Sequence, residues 1–438
     1  MGLCVILFAL LADWLTSGEP GFGRMQQVML GGGVALVLVG FLSVAWNLRI
    51  LVLLVMSGVS LTAGELTLRA FVGPYFATVY QLDSRYIYKL IPNATKIYRR
   101  LPADGGESIV VHVNDRGFRD AASEAVSPEG GKRVVVYGDS YIEGEFSSFE
   151  QTFVERLRVH LTHDLRTPVT VVNAGVSGYG PDQEYARIAD ELPVLAPDLL
   201  IVAICTSNDL GDLLRNKMFR LAPDGTLARN AFRVHPNLKA RFERAGSGLL
   251  LSKVVEKRWN SLMLAIDDNP DDREGPGPWL RHQQADYEAY VQRGDNVVTN
   301  LSNDYLDIDV STMPESEAVR YKLGLMRALF AAIKQTAAAR GVPLLFVIIP
   351  SATDVCRSCE GVRKETVAFP DYRRSATTER AVELARSVSV PFVNLYEPFR
   401  TSDPDALYFK QDTHWNDRGQ EIAARGVSRY ISSAGILR

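Results

Sequence analysis

Gly138-Asp139-Ser140 stands directly after a short β-branched run, Val134-Val135-Val136-Tyr137. A serine hydroxyl is a poor nucleophile unless a base takes its proton and its position is fixed. A strand-to-helix turn supplies the second condition. It exposes the hydroxyl, and the unpaired N–H groups of the helix start can face a developing oxyanion. Gly138 would permit the tight turn. Alone, such a triplet often marks an ordinary turn; its place at a strand end gives it chemical weight. The base should be a histidine, and the chain has 6. His112, His160, His163, His235 and His282 lie in segments with no acidic partner at useful spacing. His414 lies in Asp412-Thr413-His414-Trp415-Asn416, between the last strand region and the last helix. A nearby acid can hold one ring nitrogen and leave the other for the serine. The same cluster could also be a helix start, capped by Asn416 or Asp417.

These residues need a frame, and the sequence supplies an alternating one. Arg133 to Tyr137, Pro168 to Val172, Leu199 to Cys205, Leu344 to Ile349 and Val390 to Leu395 read as strands. Between them run helical stretches: Phe149 to Asp164, Pro181 to Leu192, Glu317 to Arg340, Thr377 to Val388 and Asp417 to Ser432. Phe153, Leu157 and Leu161 share one face of the first. Pro181 suits a first helical turn, and Gly341 fits a C-terminal cap. Such alternation predicts an α/β fold with a parallel sheet covered on both faces. Catalytic groups in such sheets gather at the carboxyl ends of the strands.

Taken together, the motifs resemble the four marker blocks of the SGNH/GDSL hydrolase superfamily. Gly138-Asp139-Ser140 resembles the nucleophile block. Asn173-Ala174-Gly175-Val176-Ser177-Gly178 is similar to the block whose glycine gives an oxyanion N–H. Thr206-Ser207-Asn208-Asp209 resembles the block whose asparagine is a further oxyanion donor, and Asp412-Thr413-His414 the block holding acid and base. The resemblance covers about residues 110 to 432. It implies a flavodoxin-like three-layer sandwich, with Ser140 as nucleophile, His414 as general base and acid, and Asp412 orienting His414. It implies an oxyanion hole from the Ser140 N–H, the Gly178 N–H and the Asn208 side chain. Gly175 is the rival for Gly178, which the family pattern favours because it follows the Val-Ser pair. No metal or cofactor is implied.

Two positions depart from the pattern. Thr206 stands where the third block commonly has glycine, which would cost backbone freedom before Asn208. The acid usually stands three residues before the histidine; here that residue is Gln411, and Asp412 is two before. This spacing, with Trp415 after the histidine, resembles a branch that includes envelope polysaccharide O-acetyltransferases and acetylesterases. Asn114 to Asp120 resembles a stretch upstream of the nucleophile in bacterial membrane-anchored members; its plainer meaning is a glycine turn with a buried Phe118 and an Arg119–Asp120 pair.

The chain has 438 residues, 47% of them hydrophobic, with a formal charge of -3. That balance, with no basic run interleaved with aromatics, excludes nucleic acid as a partner. The apolar excess lies in three N-terminal segments: Leu3 to Leu15, Val28 to Ala45 and Ile50 to Ala63. Spanning a bilayer takes about 20 apolar residues. The second meets that, the third only with its flanks, and the first could be a signal-peptide core. Two or three transmembrane helices are expected in residues 1–70, with Asn47-Leu48-Arg49 as a tight connection. Residues 71–130 would be membrane-proximal and 131–438 catalytic, with an insertion at about 211–315 and a hairpin at Asp224-Gly225. Arg49 against Arg24, Arg69 and Arg85 places the large domain in the cytoplasm by the positive-inside rule. Cysteine usage leans the other way. Cys356 and Cys359 lack a second ligand pair for zinc and read as a local disulfide of an oxidising compartment, or as two reduced thiols. With the resemblance, the expectation is an inner-membrane protein with an extracytoplasmic catalytic domain, acting on an acylated carbohydrate or lipid-linked substrate. Lipase or thioesterase action is the second enzymatic reading. A glycan-binding or assembly module with a vestigial site is the non-enzymatic one.

Overall fold

The structure, a computed structural model, describes residues 5–10, 24–41, 44–119, 130–234, 249–254, 284–285, 287–288, 297–299, 307–358, 369–410 and 412–437. It divides into two compact units, Met1–Val72 with Leu249–Leu251 and Gly73–Gly248 with Ser252–Arg438.

In the first unit residues 5–10 are helical, followed by α1 (Arg24–Gly40) and α2 (Val44–Phe76). The expected connection at Asn47-Leu48-Arg49 is helical and lies inside α2. No proline interrupts Val44 to Ala63, so nothing breaks the hydrogen-bond ladder there. Consequently it is the third apolar segment that reaches membrane-spanning length. Val44–Phe71 is apolar over 28 residues with none of its most apolar window buried. At a rise of about 1.5 Å per residue this exceeds the roughly 30 Å of a bilayer core. The second segment forms the shorter α1, of 17 residues. Glu65, inside α2, accepts the N–H groups of Leu250 and Leu251 at 2.9 Å each.

The second unit opens with two antiparallel hairpins. β1 (Tyr80–Asp83) pairs with β2 (Ile87–Leu90), and β3 (Thr95–Arg99) with β4 (Ser108–His112). A lone hairpin is marginal in water, and the first one joins the main core through Ile87, Tyr88 and Leu90, as do Val113 and Phe118 after the second. Residues 73–119 therefore belong to the same compact unit as the sheet. That sheet has five parallel strands: β5 (Lys132–Tyr137), β6 (Val169–Asn173), β7 (Leu199–Cys205), then β12 (Leu344–Ile349) and β13 (Phe392–Asn394). Between β7 and β12 lie the hairpin β8 (Phe219–Leu221) and β9 (Leu227–Arg229), turning through Asp224-Gly225. β10 (Phe232–Val234) pairs with β11 (Val297–Thr299).

The spatial order is β13-β12-β7-β5-β6, the doubly wound, flavodoxin-like arrangement. The chain leaves β5 in one direction to β6 and in the other to β7, so the crevice at the carboxyl end of β5 is the topological switch point. Side chains alternate across the pleat and build two cores. Val135, Tyr137, Leu200, Val202, Phe346 and Ile348 face one. Val134, Val136, Ile201, Ala203, Leu345 and Val347 face the other. The first core is covered by α5 (Pro181–Leu195), α8 (Glu317–Ala338) and α10 (Ala376–Ser387), the second by α4 (Phe153–Leu165) and α12 (Asp417–Ala434). Each such aliphatic side chain contributes about 1.5–3 kcal/mol on burial.

One buried ion cluster ties a helix to the loop after β7. Lys322 of α8 is fully buried and donates to Asp307 at 3.0 Å and Asp309 at 2.8 Å. Asp307 in turn accepts the Leu210 N–H at 2.9 Å, and its own N–H donates to the Ser207 carbonyl at 2.7 Å. Burial raises the Asp307 carboxyl to about 6, and Lys322 opposes the rise. Removing one partner of such a cluster strands the other charges out of water. Lys322→Ala should destabilise the domain by about 3–5 kcal/mol, read from the urea unfolding midpoint.

Candidate active site

Ser140 opens α3 (Ser140–Glu143), the short helix after β5. Asp139 caps it, its buried carboxylate accepting the Tyr141 N–H at 2.9 Å. Burial raises the Asp139 pKa, against the Tyr141 N–H and the His414 charge. Gly138 is needed here for space rather than for turn freedom. It is not among the positive-φ residues, but a Cβ there would lie 2.4 Å from Ile142 Cγ1 and 3.2 Å from Ala203 Cβ.

The Ser140 hydroxyl lies 2.7 Å from His414 Nε2, across 274 residues of chain. The other ring nitrogen of His414, Nδ1, hydrogen-bonds Asp412 Oδ1, and the same oxygen accepts the His414 backbone N–H at 2.8 Å. Two-residue spacing therefore lets one carboxylate oxygen hold both ring and backbone of the histidine. Burial pushes the His414 pKa down. The Asp412 hydrogen bond and the charges of Asp412, Glu145 and Asp139 outweigh it and hold the imidazole at about 9. Burial raises the Asp412 carboxyl, but the bond and charge of His414 bring it below its usual value.

Two hydrogen bonds clasp the histidine loop to the serine helix. Tyr141 Oη donates to the Thr413 carbonyl at 2.7 Å, and Trp415 Nε1 donates to the Tyr141 carbonyl at 3.1 Å. Trp415 is 1% exposed and stacks on Phe153 and Phe399, each ring centroid 5.9 Å away. Phe409 N–H to His414 O at 3.0 Å and the Tyr408–Trp415 bridge close the loop on itself. Asn416 caps α12 through the N–H groups of Arg418 and Gly419.

Gly178 follows β6 at φ 74, where glycine is favoured. Its loop is joined to the serine helix by Glu143, which is fully buried and accepts the Ser177 N–H at 2.5 Å and the Tyr80 hydroxyl at 3.1 Å. Burial and the Glu145 charge raise Glu143 to about 7, opposed by the Ser177 N–H and by Arg119. Among the described residues, the N–H groups of Ser140 and Gly178 meet no protein acceptor. The Gly175 N–H is engaged by Asn173 Oδ1 at 3.0 Å. Asn208 caps α6 (Asp209–Asn216) after β7. One of its two amide N–H groups donates to Asp212 at 2.9 Å, and its oxygen accepts the Ser207 hydroxyl at 2.9 Å. An amide nitrogen carries two donors, so a second remains. Thr206, in place of the family glycine, needs no unusual backbone; its hydroxyl accepts the Ser351 N–H at 3.0 Å and ties the ends of β7 and β12 together.

Other expected features fall into structural roles. Arg119 is 1% exposed and donates to the carbonyls of Glu143 and Ser147; Asp120 lies outside the described residues. His160 pairs with Glu421 at 3.0 Å, an acid 261 residues away that local spacing does not reveal. His112 meets Thr95 at 3.0 Å, and His235 and His282 lie outside the described residues. Cys356 is buried and disulfide-bonded; Cys359 and Gln411 lie outside the described residues. Sequence reading missed Tyr141, Glu143 and Tyr80 as parts of the site. The aromatic Trp415 beside His414 was the visible signal for the clasp.

The family profile described as GDSL-like lipase/acylhydrolase matches residues 136–422. No curated protein is similar to the chain in sequence. Among solved structures, a catalytic mutant of an acetylxylan esterase from Geobacillus stearothermophilus is 12% identical with a TM-score of 0.36, covering 70% of this chain and 96% of its own. A G-D-S-L family lipolytic protein from Desulfitobacterium hafniense is 11% identical with a TM-score of 0.32, covering 68% and 99%. A lipase/acylhydrolase from Enterococcus faecalis is 12% identical with a TM-score of 0.35, covering 69% and 96%.

Trp415→Phe keeps most of the ring stack but leaves the Tyr141 carbonyl without its indole donor. An unsatisfied buried acceptor costs about 1–3 kcal/mol. The variant should lose that much stability in denaturant titration.

Proposed function

Because the chain belongs to the GDSL-like lipase/acylhydrolase family and is a serine esterase, we propose that Ser140 is its acylated nucleophile, with His414 as base and Asp412 as the acid that orients it. The observation that carries this reading is the 2.7 Å contact between Ser140 Oγ and His414 Nε2, with Asp412 behind the ring. Ser140 Oγ attacks the ester carbonyl carbon as its proton passes to Nε2. The oxyanion that forms is met by the N–H groups of Ser140 and Gly178 and the free N–H of Asn208. Each such donor lowers the barrier by roughly 3 kcal/mol. The tetrahedral species expels the alcohol, which takes the proton from His414. Water or a sugar hydroxyl then attacks the acyl-serine as its proton passes to Nε2, and the second tetrahedral species expels Ser140 Oγ, which takes that proton back, to give the free acid or a new ester.

The substrate we propose is an acylated envelope carbohydrate, met on the extracytoplasmic side of the inner membrane. Support comes from α2, whose Val44–Phe71 stretch is long and apolar enough to anchor the chain, and from the Asp412-Thr413-His414-Trp415 spacing. A reporter fused at the C-terminus that is active only in the cytoplasm would overturn the assigned side.

A fluorophosphonate probe should label the wild type and not Ser140→Ala; equal labelling of both would sink the assignment. Acetate release from acetylated glycan, with and without an acceptor sugar, separates hydrolysis from transfer.

The pH dependence has a fixed sign. The base form of His414 is required, and its pKa is raised from 6.5 to about 9. Activity, as kcat/KM, should therefore climb as pH rises from about 7 towards 9. Asp412→Asn should lower both the activity and the midpoint of that rise. The same shift stabilises the folded chain fully below pH 6.5, and that contribution is lost as pH rises through about 9.

A further inference from the structure

We infer that Tyr88, on the hairpin that follows the apolar helix α2, is a positioning residue of the oxyanion hole: its hydroxyl sets the direction and polarity of the Gly178 N–H. Tyr88 lies on β2, outside residues 136–422 that match the family profile.

Tyr88 Oη donates to the Ser177 carbonyl at 2.8 Å. That carbonyl and the Gly178 N–H belong to one peptide unit. The unit is planar and trans, so the two groups point in opposite directions. A donor that fixes the carbonyl therefore fixes the N–H. A hydrogen bond to the carbonyl also polarises the N–H of the same unit, by roughly 10–30% in bond strength.

The surroundings single out that N–H. The Ser177 N–H is taken by Glu143 at 2.5 Å, the Ser177 carbonyl by Tyr88, and the Gly178 carbonyl by Arg215 at 2.6 Å. Of the four backbone polar groups of Ser177 and Gly178, only the Gly178 N–H meets no acceptor among the described residues. A loop whose other groups are all held, with one donor left over, is built to present that donor.

Tyr88 is itself held. Its ring meets Tyr80 edge-on at 5.9 Å and Tyr179 at 5.2 Å, and the Tyr179 hydroxyl donates to the Tyr88 carbonyl. A Cβ at position 178 would come within 2.9 Å of Tyr88 Oη. The tyrosine therefore also excludes a larger residue, beyond the restriction set by φ 74.

The inference rests on the reading of Ser140 as nucleophile and Gly178 as oxyanion donor. The experiment compares Tyr88→Phe with Tyr86→Phe in the full chain. Tyr86 lies in the turn of the same hairpin, two residues before Tyr88, and bonds Asp190 instead. Tyr88→Phe should lower kcat about tenfold with KM unchanged, less than the 10²–10³ of deleting an oxyanion donor outright. Affinity for a boronic acid that forms a tetrahedral adduct should fall by the same factor. Tyr86→Phe should leave both at wild-type values. 4-Aminophenylalanine at position 88, which restores a donor, should recover kcat, whereas 4-fluorophenylalanine, which has none, should not. Should Tyr88→Phe fail to fold, these two ring analogues carry the comparison. An unchanged kcat in folded donor-less variants, or an equal loss in Tyr86→Phe, overturns the role of Tyr88. Full activity in Ser140→Ala would instead overturn the reading on which it rests.

Discussion

A serine and a histidine 274 residues apart are useful to each other only at hydrogen-bond distance. The clasp between Tyr141 and the His414 loop provides that distance. The side chain of Tyr141 reaches Thr413, and its carbonyl receives the Trp415 indole. Each of these residues is adjacent in sequence to Ser140 or His414, so the pair is constrained from both sides of the backbone. Trp415 can serve because its stacking partners come from α4 and from Phe399 of the helix Tyr396–Arg400. The spacing of Ser140 and His414 thus depends on the core of one face of the sheet. Aromatic burial there supplies both stability and position.

Electrostatics follow from the same placement. The switch point is partly buried, with the His414 and Asp412 side chains 24% and 31% exposed, and charge there is expensive unless paired. Asp412 and His414 meet this by forming a pair, each favouring the other's charged form. Asp139 and Glu143, on the protein side of Ser140, are shifted the other way by burial. Glu184 is likewise buried, 1% exposed, neither of its carboxylate oxygens meets a hydrogen-bond partner among the described residues, and burial together with the charge of Asp139 holds its pKa well up. The result is a charged pair at Asp412 and His414, and buried acids driven towards the neutral form nearby.

The hairpins of residues 80–112 are part of the second compact unit. They follow α2 directly in the chain, yet Tyr80 and Tyr88, with Arg119 just after the second hairpin, bond to Glu143 at the end of α3 and to Ser177. The loop that carries Ser177 and Gly178 is therefore supported from a part of the chain that precedes the first sheet strand. A hairpin too small to hold a core of its own gains one by packing here, and the loop gains rigidity in exchange.

The sequence by itself determined the local terms. Val134 to Tyr137 before Ser140, the buried run Leu199 to Cys205 before Asn208, and the amphipathic α8 are legible because period and composition record which face is apolar. The order of the four motifs, with Asp412 and His414 close in sequence, was legible because it resembles the marker blocks of a known family. Only the tertiary structure decided the rest. It engaged the Gly175 N–H with Asn173, while the Gly178 N–H meets no acceptor among the described residues. It put Tyr88 on Ser177, Glu421 on His160 and Lys322 between two aspartates. It also ran α2 straight through Asn47-Leu48-Arg49. Spacing along a chain encodes contacts a few residues away, whereas these contacts join residues whose proximity arises only when the sheet has assembled and both its faces are packed.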